Sequence, residues 1–201
     1  MKKLIVMAVV ALMATVSANA QQMFIKPMVG GTLATVTGDG TSGYKMKLGL
    51  VGGAEFGYYV TEPLAITAGA LVSMQGANMK DNYVPGYTDA SSTLTYLNIP
   101  ILANYYVAPG LALKAGVQPG FLLSRKYKYT LNGHDVEVTG TDGLKTLDFS
   151  IPLGISYEIS DFVIDARYNL GLSNLVDNDN NGDYSQKNSV IMLTLGYKIP
   201  F

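Results

Sequence analysis

Residues 177–183, DNDNNGD, carry oxygen-bearing side chains at alternate positions around a glycine. Oxygens at this spacing converge on a cation when a glycine allows a sharp turn, as in the first half of a calcium-binding loop. The bidentate glutamate that closes such a loop is missing, because the twelfth position is Asn188. The pattern leaves open a calcium site and a solvated acidic loop tip, and we expect no other cofactor. The candidate calcium ligands are Asp177, Asp179, Asn181 and Asp183.

Residue patterns for catalysis are sparse. The single histidine, His134, precedes Asp135 in the stretch LNGHDVEV, and adjacent residues rarely form a working dyad. The sequence contains no Gly-x-Ser-x-Gly nucleophile motif, no cysteine and no cluster of histidines that could hold zinc. We therefore predict no catalytic residue and no enzymatic activity.

A third set of chemically capable residues consists of charges embedded in apolar segments. Four are basic and four are acidic, so they could pair with one another. We interpret them as a charge network inside the fold, formed by Lys26, Glu55, Lys114, Asp148, Glu158, Asp165, Arg167 and Lys198.

Eight segments with period-two patterning hold these charges. In TYLNIPILANYYV, residues 95–107, the residues Leu97, Ile99 and Ile101 share one face with further apolar residues, which indicates a β-strand. Each segment is longer than the five or six residues usual for a soluble strand and is long enough to cross a bilayer. The predicted strands are 23–35, 47–60, 64–78, 93–107, 111–125, 145–159, 162–174 and 189–201.

The connections between these strands alternate between short and long. Tight turns at 61–63, 108–110 and 160–161 contain Pro, Gly or Asp, which suit turn geometry. Short turns at one end and long loops at the other are typical of an outer-membrane barrel with periplasmic turns and extracellular loops. We predict an all-β fold, an eight-stranded antiparallel up-and-down transmembrane barrel. Its long polar loops are 36–46, 79–92, 126–144 and 175–188.

Composition indicates which face of the sheet meets lipid. A soluble ligand-binding barrel also alternates, but its exterior is rich in charge, whereas charged residues are only 14% of this chain, against about 25% in an average soluble domain. The polar faces of the segments carry mainly Gly, Ser, Thr, Asn and Gln, which fit a narrow lumen. We therefore expect the apolar face to meet lipid. Because side chains can fill an eight-stranded barrel, we favour a closed, ion-paired lumen over a polar path with Arg167 in a selectivity ring.

Aromatic residues gather near the short-turn ends of the segments. Such a grouping is typical of a girdle at a membrane interface, although tyrosine is also a good strand former in general. Tyr59 and Tyr106 belong to the same grouping. The predicted interface residues are Tyr58, Tyr105, Tyr157, Tyr197 and Phe201.

Four prolines disagree with regular strands. Pro27, Pro100, Pro119 and Pro152 lie inside the predicted segments, and proline cannot donate to the hydrogen-bond ladder of a closed sheet. We expect β-bulges at these positions, each of which would shift the inward and outward assignments by one residue.

The first twenty residues are predicted to be a secretory signal peptide, and residues 21–201 form the barrel domain. A basic start, an apolar run of about 13 residues and Ala18-x-Ala20 fit a cleaved signal better than a membrane anchor, which needs about 20 apolar residues. Removal of Lys2 and Lys3 changes the net charge from −1 to −3. Neither charge favours nucleic acid as a partner.

The stretches TYLNIPILANYY, KAGVQPGFLLS, LDFSIPLGISYEI and DARYNLGLSNL resemble the small outer-membrane β-barrel family, labelled porin-family or PorT-like barrels. The resemblance covers residues 21–201 and implies a barrel in the outer membrane of a Gram-negative cell. It implies little about activity, although one branch of the family is tied to a protein-secretion apparatus. The matching residues are Leu97, Ile99, Pro100, Gly116, Pro119, Gly120, Asp148, Phe149, Gly154, Tyr157, Arg167, Tyr168, Gly171 and Leu172.

Together these observations predict an integral outer-membrane protein with a filled lumen and a structural or surface-interaction role through its extracellular loops. The alternatives are a small porin-like diffusion channel and a barrel component of a secretion apparatus. The expected partners are outer-membrane lipid, the barrel-assembly machinery, which would read the C-terminal strand ending in Phe201, and an unidentified extracellular or secretion-system protein.

Overall fold

A computed structural model of the protein describes residues 23–80, 87–131, 133–141, 143–176 and 185–201. In this part of the chain no helix is long and apolar enough to cross a membrane. The strands are β1 (Met23–Gly38), β2 (Tyr44–Lys45), β3 (Lys47–Thr61), β4 (Leu64–Met79), β5 (Tyr87–Asn98), β6 (Ile101–Ala108), β7 (Leu111–Leu131), β8 (His134–Thr139), β9 (Leu147–Ile159), β10 (Phe162–Gly171), β11 (Gln186–Tyr197) and β12 (Ile199–Pro200).

The strands form one closed antiparallel sheet. Each long strand pairs with its neighbours in the order β1, β3, β4, β5, β7, β9, β10 and β11, and β11 pairs back with β1. Strand β6 continues β5 along the same β4 and β7 neighbours, so the two together make one wall of the barrel. Eight walls with no open edge confirm the predicted up-and-down barrel.

The expected bulges at the four prolines are absent. Asn98 pairs with Leu71, Ile101 pairs with Ala68, and the register between them is unbroken across Pro100. The N–H of Gly69 donates to the Pro100 carbonyl at 3.0 Å, so the proline loses only the reciprocal bond that it has no N–H to make.

Register shifts instead lie where a strand approaches a turn or leaves the apolar band, at Tyr59/Thr61, Tyr106/Ala108, Thr88/Ser91 and Thr95/Tyr96. The inward and outward assignments from the sequence therefore hold through the central part of the barrel.

Strand β7 and its surroundings extend further than the sequence predicted. The expected loop 126–144 contains the last six residues of β7 and all of β8, which pairs with them from Lys126 opposite Thr139 to Leu131 opposite His134. Strand β5 begins at Tyr87, six residues before its predicted start. Strand β5 thus begins within the predicted loop 79–92, and the end of β7 and all of β8 lie within the predicted loop 126–144.

Outward-facing side chains along the walls are apolar and exposed. On β7 they run from Leu113 to Leu123, and above Leu123 the exposed residues become Lys126 and Lys128. The apolar stretch marks the part of the wall that contacts hydrocarbon, and the lysines mark the part beyond it.

Candidate functional site in the barrel lumen

The inward face of β1 passes through the layers of the lumen in order. Counting from the short-turn end, Phe24, Lys26, Met28, Thr32 and Val36 are all buried and all point into the barrel. Because alternate residues share a face, the strand supplies side chains to an aromatic layer, a charged layer and an apolar layer in succession.

The charged layer is an ion-pair network. A Lys26 ammonium lies 2.9 Å from Glu55 and 3.7 Å from Asp165. Arg167 contacts Glu55 at 2.6 Å and Asp165 at 2.7 Å, and Lys114 also contacts Asp165. All five side chains are at most 4% exposed. Since β1 and β7 lie on opposite sides of an eight-walled barrel, these contacts cross the lumen.

Glycines on neighbouring strands make room for this network. Gly69 lies opposite Glu55, and a Cβ there would lie 2.7 Å from the Glu55 Cγ. Gly154 lies between Lys114 and Arg167, and a Cβ there would lie 2.9 Å from the Arg167 Cγ. The long charged side chains occupy the space that these missing Cβ atoms leave.

A second charged group lies at the short-turn end. Lys198 donates to Glu158 at 2.7 Å and to the Tyr59 hydroxyl at 2.5 Å. Tyr106 donates to Glu158 at 2.5 Å and accepts from Tyr59 at 3.0 Å. The Lys198 ammonium also lies 4.9 Å from the centre of the Phe24 ring, within the range of a cation–π contact.

Asp148 stands apart from both groups. Its carboxylate accepts a hydrogen bond from Asn188 at 3.0 Å, and no basic side chain of the described residues lies within 4 Å of it. The eight charged residues predicted from the sequence thus all face the interior, but they divide into a five-residue network, a pair and a single carboxylate.

An apolar layer lies next to the central network on the side of the long loops. Met28, Val51, Leu71 and Met192 pack against one another and are almost fully buried. Asn188, the partner of Asp148, lies four residues from Met192 along β11. The apolar layer therefore separates the central network from Asp148.

A family model described as "Outer membrane protein beta-barrel domain" matches residues 11–177, which is most of the chain. The chain belongs to this family. The resemblance found in the sequence is confirmed, and this outer-membrane barrel is a protein of the Gram-negative outer membrane.

A solved structure shows the same fold, and a second solved structure is also similar. Ail, the attachment invasion locus protein of Yersinia pestis, is 16% identical with a TM-score of 0.52, and the match covers 89% of this chain and 99% of Ail. Neisserial surface protein A is 12% identical with a TM-score of 0.48, covering 89% of this chain and 97% of that one. No curated protein matches the chain.

The outer-membrane barrel carries exposed aromatic residues at its short-turn end. Tyr105, Tyr157, Tyr197 and Phe201 are outward and about half exposed, with Tyr197 in edge-to-face contact with Phe162. Tyr58 is outward and partly buried by its neighbours.

Tyr59 and Tyr106 do not belong to the predicted interface girdle, because both side chains point into the lumen. Counting in twos from Glu55 gives Tyr59 on the inward face, and counting from Asn104 gives Tyr106. The alternation of inward and outward residues therefore assigns both tyrosines to the lumen, although the grouping of aromatic residues near the strand ends had placed them in the girdle.

The calcium candidates Asp177, Asp179, Asn181 and Asp183 lie outside the described residues, so the calcium hypothesis stays a prediction. Among the residues that are described, no group of three or more His, Cys, Asp or Glu side chains is placed to hold a metal ion. His134 is exposed on β8, and the neighbouring Asp135 carboxylate instead accepts from the Thr130 hydroxyl at 2.7 Å.

The β7–β8 hairpin carries a charged group that the sequence did not single out. Glu137 contacts Lys128 at 2.8 Å and Lys126 at 3.2 Å, and all three side chains are exposed. Hydrogen bonds from Lys128 and then Lys126 hold the pKa of the Glu137 carboxyl below its usual range. The alternation of Lys and Tyr before Asn132-Gly133, a common hairpin turn sequence, is the signal that predicts these strands.

Proposed function

We propose that this outer-membrane barrel has a closed lumen and acts through the surface that it presents outside the cell. The observation that carries the closed lumen is the Glu55, Asp165, Arg167 network, in which charges from non-adjacent walls meet at ion-pair distance. Two adjacent layers support the same conclusion. An aromatic layer fills the lumen on the short-turn side of the network, and an apolar layer fills it on the side of the long loops.

Energetics favour a closed network over an open path. Charges taken out of water are stable only when they are paired and hydrogen-bonded, and opening the lumen would require these pairs to separate. An eight-stranded barrel is also just wide enough for its own side chains.

Planar-bilayer conductance of the refolded mature chain tests the closed lumen. Heat-modifiable gel mobility first establishes that the barrel has folded, and we then expect no resolvable channels. Steady single-channel steps from folded protein would overturn the closed lumen and favour a diffusion channel with Arg167 in its path.

The surface role rests on the extension of the sheet beyond the apolar band. Strands β5, β7 and β8 continue past Leu123, the last exposed apolar residue of the β7 wall, and display Lys126, Lys128 and Glu137. A paired hairpin offers partners a defined surface, because its strands hold one another in register. No catalytic activity is proposed for it.

Labelling of intact cells tests this orientation. An epitope tag inserted at Gly133, where φ is +78° in the β7–β8 turn, should bind antibody on unbroken cells. A matched tag at Pro109, in a short turn, should bind only after the outer membrane is opened. Equal labelling of both tags, or the reverse pattern, would overturn the proposed surface role.

We also propose that the barrel-assembly machinery reads the last strand. The side chain of Phe201 is outward and its N–H donates to the Met23 carbonyl at 3.0 Å, so the C-terminal residue lies beside β1 at the seam of the barrel. Replacing Phe201 with Ser should lower the amount of folded barrel in the outer membrane, and unchanged insertion would contradict this role.

A further inference from the structure

The central network is unequal in charge. Lys26, Lys114 and Arg167 supply three positive charges, whereas Glu55 and Asp165 supply two negative charges. Each of these side chains is almost completely buried. One positive charge is therefore left without a counter-charge in a place where an unbalanced charge is strongly unfavourable.

Neither of the other lumen carboxylates balances this excess. Glu158 already pairs with Lys198 at the short-turn end. Asp148 lies with Asn188, roughly 13 Å along β11 from Met192 by the usual rise of a strand, and the apolar layer lies between them. The sequence count of four basic and four acidic residues is balanced overall, but the layers are not balanced individually.

Hydrogen-bond donors are also left over in this layer. Lys114 contacts one carboxylate although an ammonium group carries three N–H donors. Thr194, directly opposite Asp165 on β11, has a hydroxyl with no partner among the described residues, and its side chain is 2% exposed.

Asn169 is a second buried residue without a partner, but it lies outside this layer. Neither its amide nitrogen nor its amide oxygen has a partner in the described part of the chain. It lies four residues from Asp165 along β10, roughly 13 Å by the usual rise of a strand, whereas Thr194 lies directly opposite Asp165. One small ion cannot contact both side chains.

From this excess charge and these unpartnered donors, we propose that the central layer of the lumen is a binding site for one small monovalent anion of the halide class. Lys26 and Lys114, which both lie beside Asp165, supply the attraction, and Thr194, which lies opposite Asp165, donates a hydrogen bond. The anion brings the layer to neutrality and uses donors that the protein leaves free. This site goes beyond the proposed surface role and does not depend on it.

Chloride-dependent stability tests the site. The mature barrel is refolded in detergent with sodium gluconate, whose anion is much larger than a halide, and chloride replaces gluconate at constant ionic strength. We expect a saturable rise in melting temperature of about 5 to 10 °C at chloride a hundredfold above its dissociation constant. An unchanged melting temperature would overturn the proposal.

Variants locate the effect. Lys114→Met and Lys26→Met each remove the excess charge, so the melting temperature of either variant should no longer depend on chloride. Lys126→Met, an exposed lysine of the hairpin, is the matched control and should keep the full chloride shift. A chloride shift that survives in both lumen variants would place the anion elsewhere and overturn the site.

Diffraction from crystals grown in bromide tests the anion site even if the lumen variants do not fold. Crystals of the wild-type barrel grown in bromide should give an anomalous peak among Lys26, Lys114 and Thr194. Absence of a peak in that layer would overturn the proposal.

Discussion

The lumen network and the β7–β8 hairpin use the same chemistry in opposite surroundings. In the lumen, Lys26 and Glu55 are 3% and 0% exposed and meet at 2.9 Å. On the hairpin, Lys128 and Glu137 are 60% and 41% exposed and meet at 2.8 Å. The two distances are almost equal, so geometry alone does not distinguish an ion pair on which the stability of the fold depends from one that contributes little to it.

Solvent makes the difference. Water screens the hairpin pair and solvates either partner when the other is lost. In the lumen a carboxylate that loses its charge leaves cations that neither water nor another side chain can reach, and the cost of that uncompensated charge exceeds the value of the pair itself.

The largest expected effect is that of Glu55→Gln. This substitution keeps the size of the side chain but leaves Lys26 and Arg167 with one carboxylate fewer, so we expect a loss of about 3 to 5 kcal/mol in the free energy of unfolding. Urea unfolding in detergent, followed by heat-modifiable mobility, measures it. A variant as stable as the wild type would show that the lumen is hydrated enough to behave like the hairpin.

A smaller loss is expected for Gly154→Ala. The added methyl would lie 2.6 Å from the Ala166 carbonyl oxygen and 2.9 Å from the Arg167 Cγ, so either the strand or the network must shift. Overpacking of this kind costs about 1 to 3 kcal/mol. Gly140→Ala is the control, because nothing lies within 4 Å of that position, and the same unfolding assay should separate the two variants.

Tyr106→Phe should have a more modest effect. It removes the hydroxyl that donates to Glu158 at 2.5 Å, but Lys198 continues to pair with that carboxylate. We expect a loss of about 1 kcal/mol, the usual value of one hydrogen bond. Tyr105→Phe, which changes an outward neighbour, should leave the melting temperature unaltered, and equal losses in the two variants would contradict the assignment of Tyr106 to the lumen.

The smallest effect is expected for Glu137→Gln, the exposed counterpart of Glu55→Gln. We expect no measurable change in stability, because the pair is solvated.

The pairing between Glu137 and Lys128 should nevertheless be visible in a carbon-detected NMR titration. Since the pKa of Glu137 is lowered, its pairing is complete above the usual pKa of a glutamate and is lost as the pH falls through the lowered value. In a Lys128→Met variant the pKa should move back toward the usual value, and an identical titration curve would contradict the contact.

Period-two alternation was sufficient to predict the walls of the barrel. Strands β4 and β9, predicted at 64–78 and 145–159, follow the apolar pattern closely, because lipid contact demands an apolar residue at every second position. The end of β7 lies beyond lipid, where alternating Lys and Tyr residues satisfy a strand without an apolar face. A search for apolar alternation therefore could not find it.

Alternation also predicted which charges face inward, but not how they group. Lys26 and Lys198 lie opposite each other in the register of β1 with β11 and β12, yet they join different clusters. The Lys26 side chain extends over Gly196 toward the central network, and the direction of a side chain is not contained in the alternation. Register between distant strands cannot be counted along one chain. The sequence did not single out Asn169 and Thr194 for a related reason. What distinguishes them is that their buried side-chain atoms have no hydrogen-bond partner among the described residues.

Complementary sizes across neighbouring strands carry a consequence for how this barrel can diverge. The ring of Phe24 covers Gly57, and a Cβ at Gly57 would lie 2.1 Å from the ring. A larger residue at position 57 requires the Phe24 ring to move or to become smaller, so neither position can change freely. Homologues of this protein should change the two residues together, so positions 24 and 57 should covary in a sequence alignment.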